Sequence, residues 1–236
     1  MEHKDLTIMF TDIKGFTQRT SQQSRDDTIG LIRQHKEILT PILESRGGTI
    51  IKEIGDAFLV VFESPTNAVL TGQELQEKLQ EFNASAEAKD QLEIKVAINT
   101  GEVSIEDNDI YGEAVNIAAR LEGVAEPNEV YFTEATYLVM NKSEVPTAEI
   151  GFRIFKGIPD RIKIFKVLRE GEEKPIIRSD SETTPPIQAD RKTESPHPAI
   201  ELERTIFVAC LLLFLAIGLA LDMTAGFIMI GLGAAF

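Results

Sequence analysis

The chain has 236 residues, 43 % hydrophobic and 26 % charged, enough for one ordinary globular domain plus an appendage. Its formal net charge of −14 leaves no basic stripe to neutralise phosphates, which excludes a nucleic-acid duplex as main partner but not a small phosphorylated ligand. A single cysteine, Cys210, excludes an intrachain disulfide, and Met1-Glu-His-Lys-Asp5 lacks the apolar core of a signal peptide.

Residues 6–11 read as a strand, which runs straight into Phe10-Thr-Asp-Ile-Lys-Gly-Phe-Thr17. That places Asp12 at the end of a buried strand, where an unpaired carboxylate is costly and needs a positive partner. Residues 24–45 read as a helix, because Leu31, Ile32, His35, Ile38, Leu39 and Ile42 recur at helical spacing. Pro41 either starts its last turns or kinks it, and Gly47-Gly48 ends it. Residues 49–54 and 57–62 read as a hairpin turning at Gly55-Asp56. Ser64-Pro65 supplies an N-cap and first turn for a helix over 65–82. Residues 92–98 alternate as a strand, and Gly101–Ile105 continues it or begins another. A helix over 112–123, a strand over 129–132, a short helix over 134–141 and a hairpin of 150–156 with 161–168 complete the domain, 1–169.

The order β-α-β-β-α-β with extra elements after it is the split βαβ layout of a ferredoxin-like α+β fold. Its helices are expected over one face of a mostly antiparallel sheet. Residues 170–204, with Pro175, Pro185, Pro186, Pro196 and Pro198 among Ser, Thr and charges, read as a flexible linker. Residues 205–236 are almost wholly apolar. The run 206–221 and its neighbours reach the ~20 residues of a transmembrane helix. Asp222 interrupts the run, and 223–236 is Gly-rich and short for a second span.

In a split βαβ sheet the first and third strands lie side by side at the centre, so Asp12 and Asp56 can converge at one end. Two carboxylates open to water and phosphate suit Mg²⁺ or Mn²⁺. Gly15 permits close backbone approach, and the turn after the strand offers free N–H groups to phosphate oxygens. The alternative is that both aspartates cap the elements that follow them. Asn116 and Arg120, spaced i, i+4, share a helix face amid Ala114, Val115, Ile117, Ala118 and Ala119, where a solvent-facing role is the usual reading. His3, His35 and His197 show no metal-ligand spacing.

Three segments, Phe10-Thr-Asp-Ile-Lys-Gly-Phe-Thr17, Lys52-Glu-Ile-Gly-Asp-Ala-Phe58 and Asp109-Ile-Tyr-Gly-Glu-Ala-Val-Asn-Ile-Ala-Ala-Arg120, resemble in order and spacing the catalytic domain of the class III nucleotidyl cyclases, over residues 4–168. The resemblance implies that Asp12 and Asp56, with the Ile13 carbonyl, bind two Mg²⁺ or Mn²⁺ ions per site. It implies that the backbone of Lys14, Gly15, Phe16 and Thr17 holds the triphosphate and that Lys156 adds to it. Lys52 and Asp109 match the purine-selecting pair, Asn116 the ribose-orienting residue and Arg120 the group that stabilises charge at the α-phosphate. Lys52 can donate to adenine N1 and Asp109 can accept from the 6-amino group, the reverse of guanine's pattern. Guanylyl members resemble this chain with Glu and Cys there, so the pair favours ATP, cyclised to 3′,5′-cyclic AMP and pyrophosphate.

Sites of this family lie between two catalytic domains, so a chain holding both half-sets implies a head-to-tail homodimer with two equivalent sites. The resemblance also implies that metal ions neutralise Asp12 without a protein cation and that Lys14 is an exposed loop residue. A site facing ATP places the domain on the cytoplasmic side of the cell's inner or plasma membrane. The alternative function is a non-catalytic nucleotide-binding or scaffolding module of the same fold. Loss of a metal Asp or of Arg120 would favour it, and neither is lost.

Overall fold

In the computed structural model, which describes residues 2–169, 171 and 172, the first strand, β1 (Glu2–Ile13), divides two hydrophobic cores. Successive strand side chains point to opposite faces. Met9 and Ile13 therefore enter one core, and Leu6, Ile8 and Phe10 enter the other. After β1 come α1 (Phe16–Thr20), α2 (Arg25–Ser45), β2 (Thr49–Ile54), β3 (Ala57–Phe62), α3 (Pro65–Ser85), β4 (Ile94–Glu106) and β5 (Asp109–Tyr111). The chain continues with α4 (Glu113–Glu122), β6 (Val130–Thr133), α5 (Glu134–Val139), β7 (Thr147–Arg153) and β8 (Ile162–Val167).

The sheet order is β2-β3-β1-β4-β6-β8-β7, with β5 paired to β4. Its first four strands are the split βαβ arrangement expected, with β1 between β3 and β4. The extension beyond β4 begins with β6, which pairs parallel to it, and the other pairings are antiparallel. The α+β class stands, but the helices do not share one face. Leu31, Leu39 and Leu43 of α2 and Val69, Leu75 and Leu79 of α3 bury against the side that holds Met9 and Ile13. Helix α4 packs Ala114 and Ala118 against the opposite side, with Leu6, Ile8 and Phe10.

Capping explains where the long helices begin. The Ser24 hydroxyl accepts from the Asp27 N–H at 3.2 Å, and the Ser64 hydroxyl from the Asn67 N–H at 3.2 Å. Helix α2 continues through Pro41 to Ser45. Strand β1 begins at Glu2 rather than residue 6, because it pairs with β4 along its whole length, from Glu2↔Ile105 to Ile13↔Ile94. Strand β4 is continuous across Gly101. Strand β7 ends at Arg153, which leaves Phe155 and Lys156 in the connection to β8. The linker expected over 170–204, apart from Gly171 and Glu172, and the membrane segment expected over 205–236 lie outside the described residues. Among the described residues, no helix is long and apolar enough to cross a membrane.

Candidate active site

The antiparallel pairing of β1 with β3 brings the end of β1 to the β2–β3 turn. The pairing reaches Thr11↔Phe58, and Gly55 turns the chain with φ 66°. The Asp56 carboxylate then accepts from the Ile13 N–H at 3.2 Å, beside Asp12. Burial raises the pKa of Asp12, and the neighbouring Asp56 charge raises it further. Burial also raises the pKa of Asp56. Two half-buried carboxylates of like charge, both hard oxygen donors, fit a divalent cation. Among the described residues, no cluster of three or more His, Cys, Asp or Glu side chains could hold a metal ion, so a bound ion needs backbone, water or substrate oxygens as well. Ile13 meets the pair through its N–H.

Asp12 does have a protein cation nearby, because the register Asp12↔Lys95 sets Lys95 beside it, with Nζ 3.9 Å from its carboxylate. Lys95 is held more closely by Glu122, at 3.1 Å from the end of α4. Burial raises the pKa of Glu122, and the Asp12 charge contributes. The signal for Lys95 was available in sequence, as a lysine between Ile94 and Val96 in a central strand. Its significance depends on the β1–β4 register.

Past Ile13, the Lys14 N–H donates to the Glu93 carbonyl at 2.8 Å. Gly15 adopts φ 66°, ψ 20° and caps α1. A side chain there would meet nothing within 4 Å, so the backbone conformation, not space, calls for glycine. Gly15 and Thr17 are exposed, and Phe16 packs at the margin of the larger core. Lys14 is exposed as expected, and its ammonium pairs with Glu93 at 2.8 Å. Arg19 donates to the carbonyls of Gln91 at 2.8 Å and Lys89 at 2.6 Å, fastening α1 to the segment before β4. Sequence reasoning found neither α1 nor this fastening.

Lys52 and Asp109 meet directly, 2.5 Å apart. A β-bulge makes this possible. Ile50 pairs with Val60 and Lys52 with Leu59, so β2 carries one extra residue at Ile51. Simple alternation from Ile50 would turn Lys52 toward α2, the side on which the bulge instead sets Glu53 against Lys36. The bulge instead puts Lys52 on the Leu59 face, where β5 delivers Asp109 beside buried Ile110. The Lys52 hydrogen bond holds the Asp109 carboxyl below its usual pKa, helped by the Ile110 N–H at 2.8 Å.

Helix α4 turns Ala114, Ala118 and Leu121 inward, which leaves Asn116 and Arg120 exposed on the outer side. Neither side chain has a hydrogen-bond partner among the described residues. The Arg120 guanidinium lies 3.7 Å from where a Cβ on Gly157 would stand, so it neighbours the connection that carries exposed Lys156. The structure therefore brings together Asp12 with Asp56, Lys52 with Asp109, and Arg120 with the Lys156–Gly157 connection. No hydrogen bond or ion pair among the described residues links Asn116 or Arg120 to the two aspartates.

Residues 1–168 match the family model described as the adenylate and guanylate cyclase catalytic domain. A relative named serine/threonine-protein kinase pkn2, from Myxococcus xanthus, is 34 % identical over 173 residues, which is 73 % of this chain but only 21 % of that protein. Among solved structures, the adenylate/guanylate cyclase/hydrolase from Silicibacter pomeroyi is 26 % identical with a TM-score of 0.64, covering 71 % of this chain and 98 % of that one. The adenylyl cyclase CyaB from P. aeruginosa is 27 % identical with a TM-score of 0.61, covering 71 % and 95 %.

Proposed function

The chain belongs to the adenylate and guanylate cyclase catalytic-domain family, the class III nucleotidyl cyclases, and from that premise we propose that it is an adenylate cyclase. The observation that carries the choice of base is the Lys52–Asp109 pair at 2.5 Å. A donor beside an ionised acceptor matches adenine N1 and its 6-amino group, and opposes guanine's N1–H and O6. The lowered pKa of Asp109 keeps that acceptor charged.

Around the triphosphate, the backbone N–H groups of Gly15, Phe16 and Thr17 bind phosphate oxygens, and Lys156 adds a charge. Asp12, Asp56 and the Ile13 carbonyl would hold two Mg²⁺ or Mn²⁺ ions, which when bound activate the ribose 3′-hydroxyl and neutralise the departing pyrophosphate. Lys95 is the protein cation beside those carboxylates and meets phosphate charge gathered there. Asn116 holds the ribose so that its 3′-oxygen faces the α-phosphorus, and this intramolecular geometry supplies much of the acceleration. Arg120 donates to the non-bridging α-phosphate oxygens as charge grows on them, a contribution of about 3 kcal/mol. The exposure of Asn116 and Arg120, neither bonded to the aspartates among the described residues, supports a site shared between two copies of the chain.

Assays of the full chain with ATP and with GTP, each with Mg²⁺ and with Mn²⁺, test the reading. Cyclic AMP is expected from ATP, and Asp56→Ala abolishes it. No cyclic nucleotide under any of these conditions overturns the assignment. Replacing Lys52 by Glu together with Asp109 by Cys lowers the ATP-to-GTP activity ratio, and an unchanged ratio refutes the reading of the base.

The same proposal makes 205–236 a membrane anchor that holds the cyclase domain on the cytoplasmic side of the cell's inner or plasma membrane, where ATP is available. Carbonate-washed membranes should retain the full chain. Recovery of the whole chain in the wash overturns the anchor.

A further inference from the structure

Helix α4 carries Asn116 and Arg120. Its last turn buries Leu121 with Ala97, Tyr131 and Ile164, but its earlier turns meet the sheet through small side chains. Ala114 and Ala118 are buried against β1 and β4, and a Cβ at Gly101 of β4 would come within 3.0 Å of the Ala114 Cβ. Such a surface sets how closely the helix approaches. It does little to fix where that end of the helix stands along or about the axis, because alanine faces offer no interlocking ridges.

Lys95 of β4 holds Glu122 at the far end of the helix, and at the first turn another directional contact supplies what the alanines lack. Asn99, 2 % exposed in β4, donates its side-chain amide to the Ala114 carbonyl at 2.9 Å, in the first turn of α4. Its amide oxygen accepts from the Thr133 hydroxyl at 2.6 Å, and Thr133 is 1 % exposed. The Ala114 carbonyl fixes which way the amide faces, since the flipped amide would set oxygen against oxygen. Thr133 occupies the N-cap position of α5, where a threonine ordinarily accepts from that helix's free N–H groups. It makes no capping bond and turns inward to Asn99 instead. A local capping preference is given up for a buried contact whose far end is α4.

We propose that Asn99, oriented by Thr133, is a positioning residue that fixes the placement of α4 and so aims Asn116 and Arg120 at the reacting phosphate. The roles of those two side chains rest on the adenylate cyclase reading above. The placement of the helix does not.

The test compares Thr133→Val, which keeps the shape and removes the hydroxyl, with Thr133→Ser, which keeps the hydroxyl, both in the full chain. Asn99→Ala serves as an independent second variant. Thr133→Val should lower kcat about ten-fold, as expected from leaving one buried acceptor unsatisfied, with KM for ATP within about two-fold. The ATP-to-GTP ratio should not move, because Lys52 and Asp109 lie on β2 and β5. Hydrogen exchange should quicken across 113–122 and stay unchanged in α2 and α3, and Thr133→Ser should resemble the parent chain in every readout. Unchanged exchange in α4, or equal quickening throughout, overturns the placement. An unchanged kcat, or a KM and base ratio that move with it, overturns the link to catalysis. A parent chain that makes no cyclic nucleotide overturns the cyclase reading instead, and helix exchange still decides whether Asn99 and Thr133 hold α4.

Discussion

His35 of α2 is 1 % exposed, its ring centre lies 5.3 Å from that of Phe58, and its Nε2 has no hydrogen-bond partner among the described residues. Burial pushes its pKa down to about 4, and the adjacent Lys36 charge adds to this. The folded chain therefore refuses a proton that the unfolded chain accepts near pH 6.5. The resulting stability is fully present above that pH and is lost as pH falls toward 4, by up to about 3 kcal/mol. Asp12, Asp56 and Glu122 act in the opposite sense, since their raised pKa values favour the fold at low pH and that benefit fades as pH rises. The difference between the parent chain and His35→Leu isolates the histidine. Urea midpoints of the variant should fall less between pH 6.5 and 4.5, and an equal fall would remove His35 from the account. The aspartates have their own test in metal-free protein at pH 7, where Asp12→Asn should raise the unfolding temperature by relieving repulsion. It should also abolish the further rise that Mn²⁺ produces in the parent chain, and a rise that persists would place the ion elsewhere.

Helix α2 passes through Pro41, which has no N–H to give the preceding turn and is itself exposed. Pro41→Ala restores that bond without opening a cavity and should stabilise the chain by about 1–3 kcal/mol, seen as a higher midpoint in thermal melts. An unchanged or lower midpoint would mean that a bend at Pro41 is needed for packing. Elements of this kind were legible in sequence, because helical spacing, the Ser24 and Ser64 caps and the Gly55-Asp56 turn are local signals. What sequence hid was set by partners far along the chain. Glu2–Asp5 join β1 only because β4 is long enough to pair with them, and three-residue β5 exists by pairing with β4. The candidate site divides the same way. Asp12, Lys52, Asp56, Asp109, Asn116 and Arg120 stand in recognisable motifs. The bulge at Ile51 that aims Lys52, and the register that sets Lys95 beside Asp12, are properties of strand pairing that no single segment encodes.

At the scale of the whole molecule, no hydrogen bond or ion pair among the described residues joins the aspartates to Asn116 or Arg120. The aspartates sit where β1 meets the β2–β3 turn, while Asn116 and Arg120 stand exposed on α4. If two copies pair head to tail, each cleft takes its aspartates from one copy and its Asn116 and Arg120 from the other, in a two-fold symmetric arrangement. Mixing defective chains then separates a shared site from one contained within a single chain. Asp56→Ala and Arg120→Ala should each be nearly inactive alone, because every cleft of either homodimer would lack one group. In a mixed dimer, one cleft lacks both groups and the other lacks neither. Equal mixing with free exchange makes about half of the dimers mixed, each with one working cleft of two, so about one quarter of parent activity should return. The recovered rate should rise with total protein concentration until dimerisation saturates, as expected when association limits the active form. A site built wholly within one chain recovers nothing at any ratio or concentration, and that result would assign Arg120 to the same chain's cleft as Asp56 and overturn the shared site.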